Sequence, residues 1–258
     1  MKKQSGIHVG TSGWHYDHWR RVFYPEKMKT HEFLGFYAKH FNTVEINNTF
    51  YRLPDLKTVE QWRDTVPADF IFSVKASRYI THVKKLKDPE ATLKRFLEKV
   101  EILQNKLGPI LFQLPPNWHF ELERVRDFIK ALPRNFKYAF EFRDMSGFNK
   151  QVEQTLSVNN SAFCIYDFSG RQSPRVVTAD FVYIRLHGPD MAYGGKYSNE
   201  QLSDWADFIL YWAGKGKEIY CYFDNDQAGY AVQDALQLRS MLGSQNLKYI
   251  DIDSNVAS

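Results

Sequence analysis

Charged and polar side chains follow or end short apolar runs along this 258-residue chain. These are Lys75, Gln113, Arg143, Asp167, His187 and Asp224. Two carboxylates, Glu45 and Glu141, lie within similar runs, and Arg185 precedes His187 by two residues. Carboxylates and histidine exchange protons, lysine can attack carbonyls, and arginine binds carboxylate or phosphate with two parallel hydrogen bonds. Together these residues favour an acid–base enzyme of hydrolase, lyase or isomerase type that acts on a small anionic or sugar-like substrate.

The predicted roles divide into catalysis and binding. We assign catalysis to Glu45, Glu141, His187 and Lys75, with a carboxylate as acid or base and His187 as its partner. Substrate binding is assigned to Arg143, Arg185, Asn47, Tyr51, Gln113, Asp167, Asp224, Asn225 and Trp14. Lys75 could form a Schiff base if burial lowered its pKa, but we expect a neighbouring glutamate to pair with it and hold it charged.

Other interpretations of the same residues stay open. Buried charges must be paired, so a structural network of ion pairs accounts for any single member equally well. The glycines of Gly188-Pro189 and Gly194-Gly195-Lys196 are compatible with a phosphate-binding loop or with plain turns. We predict no metal cluster, because cations intrude among the carboxylates, although a single divalent ion on Glu45, Glu141 or Asp224 stays open. No cofactor is indicated.

Aromatic residues crowd the segments that follow the apolar runs. They are Trp14, His15, Tyr16, Trp19, Tyr51, Tyr79, Trp118, Tyr193 and Tyr197. They could form a lid packed on itself, which we favour, or stack on bases beside Lys84, Lys85 and Lys87. The alternative function is therefore a nucleic-acid-binding or endonuclease-like barrel, which the net charge of +4 permits without requiring. A third alternative is an interaction scaffold without a ligand.

Eight strand-like runs must position these side chains. They span residues 7–10, 43–47, 70–75, 110–114, 138–142, 163–167, 182–187 and 219–224. Most are separated by segments with helical periodicity, but residues 169–180 contain Gly170 and Pro174 and show none. This rhythm predicts βα units with one reduced or irregular connection after strand 6.

Alternation within the runs selects the architecture. In the seventh run Val182, Ile184 and Leu186 alternate with polar residues, and other runs behave alike. The strands of an open parallel sheet covered on both faces would be continuously apolar. An antiparallel sheet would need tight hairpins in place of these long connections. We therefore predict an α/β fold, a single parallel (β/α)8 TIM-like barrel, with the polar residues at its C-terminal mouth.

Composition limits the setting of the protein. Apolar residues make up 43% of the chain, enough for one large core, and we predict one domain over 1–258 with a tail at 244–258. No apolar stretch is long enough for a membrane span or signal peptide. Cys164 and Cys221, both assigned to the helix-facing side, suit a reducing compartment. We expect a cytoplasmic protein, and the oligomeric state is not indicated.

Several motifs together resemble the YecE-like family of uncharacterised bacterial proteins, also called domain of unknown function 72. They are Gly10-Thr11-Ser12-Gly13-Trp14, Glu45-Ile46-Asn47-Asn48-Thr49-Phe50-Tyr51, Phe72-Ser73-Val74-Lys75, Thr81-His82, Gln113-Leu114-Pro115-Pro116, Glu141-Phe142-Arg143, Tyr183-Ile184-Arg185-Leu186-His187-Gly188 and Tyr222-Phe223-Asp224-Asn225-Asp226. The resemblance covers nearly the whole chain and implies a TIM barrel, without implying an activity. Asp224 departs from the family, where asparagine is common, and adds a carboxylate.

Overall fold

A computed structural model describes residues 6–119 and 121–254 of the chain. Nine strands lie in one sheet. In chain order they are β1 (Ile7–Thr11), β2 (Thr43–Ile46), β3 (Ile71–Lys75), β4 (Leu107–Gln113), β5 (Tyr138–Glu141), β6 (Ala162–Phe168), β7 (Arg171–Gln172), β8 (Phe181–Leu186) and β9 (Glu218–Phe223). Eight of them, all except β7, are parallel and follow the order β1-β9-β8-β6-β5-β4-β3-β2.

Helices occupy most of the connections. They are α1 (Phe33–Tyr37), α2 (Asn48–Tyr51), α3 (Leu56–Thr65), α4 (Pro89–Val100), α5 (Leu122–Lys130), α6 (Lys150–Val158), α7 (Asn199–Gly214) and α8 (Tyr230–Ser254). Their starts follow local chemistry, since Asp55, Asn149 and Ser198 each accept a hydrogen bond from the first turn of the helix that follows. No helix in the described ranges is long and apolar enough to cross a membrane.

The barrel is nearly closed between β1 and β2. One isolated bridge, Ser12 to Glu45, joins them by backbone pairing. The hydroxyl of Tyr37 adds a side-chain link, because it accepts from the Thr11 amide at 3.0 Å and donates to the Thr43 carbonyl at 3.1 Å. A Cβ at Gly10 would lie 2.3 Å from that carbonyl, so glycine is required where these strands converge.

Side chains on alternate strand positions form two layers. The layer between strands and helices is apolar, with Val44, Phe72 and Ile184 among its buried members. A smaller cluster inside the barrel contains Leu111, Cys164 and Tyr220. The polar residues lie further along the strands, so the predicted parallel barrel with its inward polar face is confirmed.

The connection after β6 is irregular, as predicted. In place of a helix, β7 folds back antiparallel on the end of β6, pairing Gln172 with Asp167. At the C-terminus, α8 continues through Ser254, so the segment predicted as a tail is helical as far as that residue. Residues 255–258 lie outside the described part.

The predicted orientation of Cys164 is wrong. Cys164 lies in register with Tyr183 and packs inside the barrel, because Phe163 and Ile165 take the helix-facing positions. Cys221 does face the helices. Both thiols are buried and free.

Candidate active site at the barrel mouth

Arg185 lies at the centre of the polar network and has no exposed surface. Its Nε donates to both oxygens of Glu45, at 3.1 and 3.0 Å. One terminal nitrogen donates to Glu141 Oε2 at 2.9 Å and to His187 Nε2 at 3.1 Å. The other donates to Glu45 Oε1 at 2.8 Å and to Asp224 Oδ2 at 3.0 Å. All five guanidinium hydrogens are therefore used within the protein.

The two glutamates predicted as catalytic are equally occupied. Glu45 also accepts from Ser12 Oγ and Tyr183 Oη, each at 2.7 Å. Glu141 accepts from Gln113 Nε2 at 2.8 Å and from Arg143 Nε. Both are completely buried, so they have neither solvent access nor a free lone pair directed at a substrate.

Charge fixes Glu141 in its ionised form. Burial opposes ionisation, but Arg143 and Arg185 outweigh it and hold the pKa of Glu141 well below its usual range. Asp224 is similar, because the hydrogen bond from His187 and the charge of Arg185 overcome burial and lower its pKa. Neither carboxyl group is suited to donate a proton at neutral pH.

The neighbours of His187 determine its tautomer. Nε2 faces donor groups of Arg143 at 2.9 Å and Arg185 at 3.1 Å, and arginine offers no acceptor. Nε2 must therefore accept, which leaves the hydrogen on Nδ1 to bond Asp224 Oδ2 at 3.0 Å. His187 is fully buried in this arrangement, which supports a positioning role better than direct proton transfer.

Arg143 and Tyr193 form part of the rim. The Arg143 guanidinium lies 4.4 Å from the ring centre of Phe168 and 4.9 Å from that of Tyr166, and its side chain is 10% exposed. Its bonds to Glu141 and His187 leave three N–H groups without a hydrogen-bond partner among the described residues. Tyr193 is half exposed, and its ring lies 5.5 Å from that of His187. The Arg143 guanidinium therefore retains hydrogen-bond donors for an incoming anion.

Lys75 differs from the other mouth cations. No carboxylate of the described residues lies within salt-bridge distance of its Nζ, so the expected ion pair with a glutamate is not formed. Its Nζ lies 4.4 Å from the ring centre of Phe50, and the side chain is partly exposed. Burial and then the charge of Arg185 lower the pKa of the ammonium to about 8, although Glu141, Asp224 and Glu45 act in the opposite direction.

His82 accompanies Lys75 on the ring of Phe50. The His82 ring is 5.0 Å from that of Phe50, and its Nδ1 bonds Thr81 Oγ1 at 2.9 Å. Burial, followed by the charges of Lys75 and Arg78, lowers the pKa of the imidazole to about 4. His82 is therefore neutral at pH 7, and the same lowered pKa makes it a weaker base than an ordinary histidine.

Two residues predicted to bind substrate lie outside the mouth. Asp167 is in register with the helix-facing Leu186, since its neighbour Tyr166 takes the inward position. Asn225 is buried, and its amide donates to Gly195 carbonyl oxygen and to Asp234 Oδ2, each at 2.8 Å. Three carboxylates and three cations thus meet at the mouth, one carboxylate fewer than expected.

The aromatic residues that were predicted to bind substrate also lie away from the mouth. Trp14 is buried in the helix-side layer against Trp62, with ring centres 5.3 Å apart, so it cannot stack on a ligand. Tyr51 is 75% exposed and lines a neighbouring cleft. Trp19, Trp118 and Tyr197 are buried, which fits packing within the loops. Lys84 pairs with Asp88 at 2.9 Å.

Asn47 and Gln113 remain at the mouth. The amide of Gln113 orients Glu141, whereas the buried Oδ1 of Asn47 has no hydrogen-bond partner within the described chain. Sequence reasoning missed Ser12, His82 and Tyr183 as members of the site. His82 was recognisable in the Thr81-His82 pair, but its contact with the end of β3 depends on the path of the intervening loop.

Metal-ligand geometry is not present in the described ranges, where no group of three or more histidine, cysteine or acidic residues is arranged to hold an ion. The oxygens of Glu45, Glu141 and Asp224 converge on Arg185 instead. The donor set therefore does not fit a metal cluster.

Comparison with known proteins identifies relatives of the same size. The family model described as "Protein of unknown function DUF72" matches residues 8–255. The UPF0759 protein YunF of Bacillus subtilis is 26% identical over 92% of this chain and 94% of its own length. The UPF0759 protein YecE of Escherichia coli is 33% identical over 58% of this chain and 54% of its own length. A DUF72 family crystal structure from Thermotoga maritima superposes with a TM-score of 0.84 at 30% identity, covering 92% of this chain and 99% of that one.

Proposed function

The chain belongs to the DUF72 family, and from that premise we propose that it is an enzyme of lyase or isomerase type whose reactive group is the Lys75 amine. The proposed substrate is a small anionic or sugar-like carbonyl compound bound at the barrel mouth. The observation that carries this proposal is the state of Lys75, a partly exposed amine without an ion pair and with a pKa near 8.

The lowered pKa matters because only the neutral amine attacks carbonyls. At pH 7 about a tenth of the Lys75 side chains would be neutral, compared with well under a thousandth for an ordinary lysine. A desolvated lysine next to another cation is a recognised way to activate this nucleophile, and Arg185 supplies that cation here. The charged network below would then act as a rigid support.

The proposed chemistry balances with one proton from solvent. The neutral Nζ amine adds to the carbonyl carbon, the carbonyl oxygen takes up that proton together with one N–H proton and leaves as water, and a protonated iminium remains. The iminium draws electrons from the adjacent carbon, which favours loss of a proton or cleavage of a carbon–carbon bond there. We assign acceptance of that proton to the neutral His82 imidazole, which contacts the same Phe50 ring as Lys75, and binding of the substrate anion to the spare N–H groups of Arg143.

Trapping tests this assignment. Glyoxylate, the smallest anionic aldehyde, is incubated with the protein at pH 7 together with sodium cyanoborohydride, and the modified lysine is located by peptide mass spectrometry. We expect Lys75 to be modified faster than the exposed Lys94, and the adduct to disappear in Lys75→Met. Modification of Lys94 in preference to Lys75 would contradict the proposal. Lys75→Arg, which keeps the charge, serves as the folding control.

A second readout follows the carbon next to the iminium. Pyruvate in D2O should lose its methyl proton signal faster with the wild-type protein than with Lys75→Met, as measured by proton NMR. Equal exchange rates for the two proteins would leave Lys75 without a chemical role.

A further inference from the structure

A cavity lies beside the mouth, on the same end of the barrel. Its volume is about 920 Å³, within the range of small-molecule sites. It is bordered by the segment that follows β2, by the segment that follows β3 and by α4. None of the mouth residues lines it, so it is a separate site from the one that contains Lys75.

The cavity carries an excess of positive charge. Arg52 and Arg95 line it, both exposed, and neither guanidinium has a hydrogen bond or ion pair with any described residue. Lys99 also lines it and donates to the Pro54 carbonyl at 2.7 Å. The carboxylate in the lining, Asp55, accepts from the Thr58 amide at 2.7 Å at the start of α3. The two free guanidinium groups are thus available to an external anion.

Two aromatic rings border the same cavity. Tyr51 is 75% exposed and Tyr79 is 50% exposed, so both rings are accessible to a ligand in the cavity. Ile80 and Phe96 also line the cavity and are buried, giving it an apolar base. Planar rings next to unpaired guanidinium groups match a ligand that combines a flat ring with an acidic group.

We propose that this cleft binds a nucleotide unit, with its base stacked on Tyr51 or Tyr79 and its phosphate bound by Arg52 and Arg95. The unit could be a free mononucleotide or part of a single strand, since both present the same base and phosphate. Stacking on tyrosine tolerates any base, so binding is expected to show little sequence preference.

Fluorescence anisotropy tests the proposal with labelled 12-nucleotide oligo(dT) and oligo(U). Competition by unlabelled AMP distinguishes a free mononucleotide from a single strand as the ligand. Tyr51→Ala/Tyr79→Ala should weaken binding about tenfold. Arg52→Gln/Arg95→Gln should weaken it and reduce the slope of log affinity against log salt by about 0.7 for each single-strand phosphate that the variant no longer neutralises. Matched controls are Tyr211→Ala, another exposed ring, and Lys39→Gln/Arg134→Gln, exposed cations in segments that precede β2 and β5 at the opposite end.

The outcomes are distinct. Oligonucleotide binding that only the cleft variants weaken supports a single strand as the occupant. Binding of AMP alone, measured by calorimetry and abolished in the cleft variants, supports a free nucleotide. The proposal is overturned if neither probe binds at low salt, or if the control variants weaken binding as much as the cleft variants. Circular dichroism of each variant verifies folding. The nucleotide-binding result is independent of the trapping experiment at Lys75, so either proposal can fail without the other.

Discussion

At the scale of single residues, Arg185 explains why so many charges are tolerated inside one barrel. Glu45, Glu141 and Asp224 all lie within 3.1 Å of its nitrogens. Taking these groups out of water is costly, and the cost is offset only while every partner is present. The network is therefore best described as a structural support that also sets the electrostatic environment of Lys75.

Removal of the central cation tests this description. Arg185→Met would remove the cation that Glu45, Glu141 and Asp224 share, so we expect the free energy of unfolding to fall by about 3–5 kcal/mol. The measurement is urea denaturation at pH 7. Arg134→Met, at an exposed position, should change stability by no more than about 0.5 kcal/mol. Equal effects of the two substitutions would mean that the network does not stabilise the fold.

Removing the charge of Asp224 should change the pKa of Lys75. Asp224 raises the pKa of Lys75, so Asp224→Asn is expected to lower it further below about 8. The pH dependence of Lys75 acetylation, followed by peptide mass spectrometry, measures the shift. Asp226→Asn provides the control, because Asp226 bonds Trp19 and His18 and is not one of the main groups that shift the pKa of Lys75. An unchanged or raised value in Asp224→Asn would refute the coupling.

The sequence predicted the positions of the mouth residues well, but it did not predict which of them pair with one another. Alternation along β8 placed Arg185 and His187 inside the barrel correctly, because the two-residue period is a property of the strand itself. The choice of partners depends on distances across the barrel. Arg185 forms ion pairs with both Glu45 and Glu141, and Lys75 is left without a carboxylate partner. Nothing in the spacing of these residues along the chain encodes that outcome.

At the scale of elements, the junction of β1 and β2 depends on α1. Tyr37 is the last residue of that helix and its hydroxyl links the two strands where backbone pairing is limited to one bridge. The eight strands were predictable from local pattern, but this link was not, because it joins residues 26 positions apart through a side chain. The irregular segment after β6 was predictable, since Gly170 and Pro174 disfavour a helix.

Loss of the Tyr37 hydroxyl should weaken that junction. Tyr37→Phe leaves the Thr11 amide and the Thr43 carbonyl without this buried partner, which is expected to cost about 1–3 kcal/mol of unfolding free energy. Chemical denaturation gives the value. Tyr211→Phe, at a tyrosine that is 57% exposed, should be nearly neutral. A neutral Tyr37→Phe would show that the barrel closes without this link.

At the scale of the whole molecule, the buried carboxylates predict sensitivity to acid. The folded protein holds the pKa values of Glu141 and Asp224 below their usual range, and that of Glu218 near 2. For Glu218, burial acts against ionisation but hydrogen bonds with His8 and Lys137 outweigh it. Since the unfolded chain binds protons more readily at these groups, their stabilising effect is present above about pH 5 and is lost as pH falls further.

Other carboxyl groups act in the opposite direction. Burial raises the pKa of Asp226 to about 6 and also raises the pKa values of Asp167 and Asp234, so protonation of these groups favours the folded state as pH falls. We expect the lowered pKa values of Glu141 and Glu218 to dominate, giving a net loss of thermal stability between about pH 5 and pH 3. Glu218→Gln should have a lower melting temperature at pH 7 but a smaller loss on acidification. If the variant and the wild type lose equal stability over this range, Glu218 does not contribute.

The proposed activity depends on one physical property, the ionisation of Lys75. Competitive labelling with trace acetic anhydride from pH 6 to pH 11, followed by mass spectrometry of the peptide that contains Lys75, measures it directly. The structure predicts half-maximal reactivity near pH 8 for this amine. A titration near 10.4, the value of an ordinary lysine, would contradict the proposed role of Lys75 at the barrel mouth.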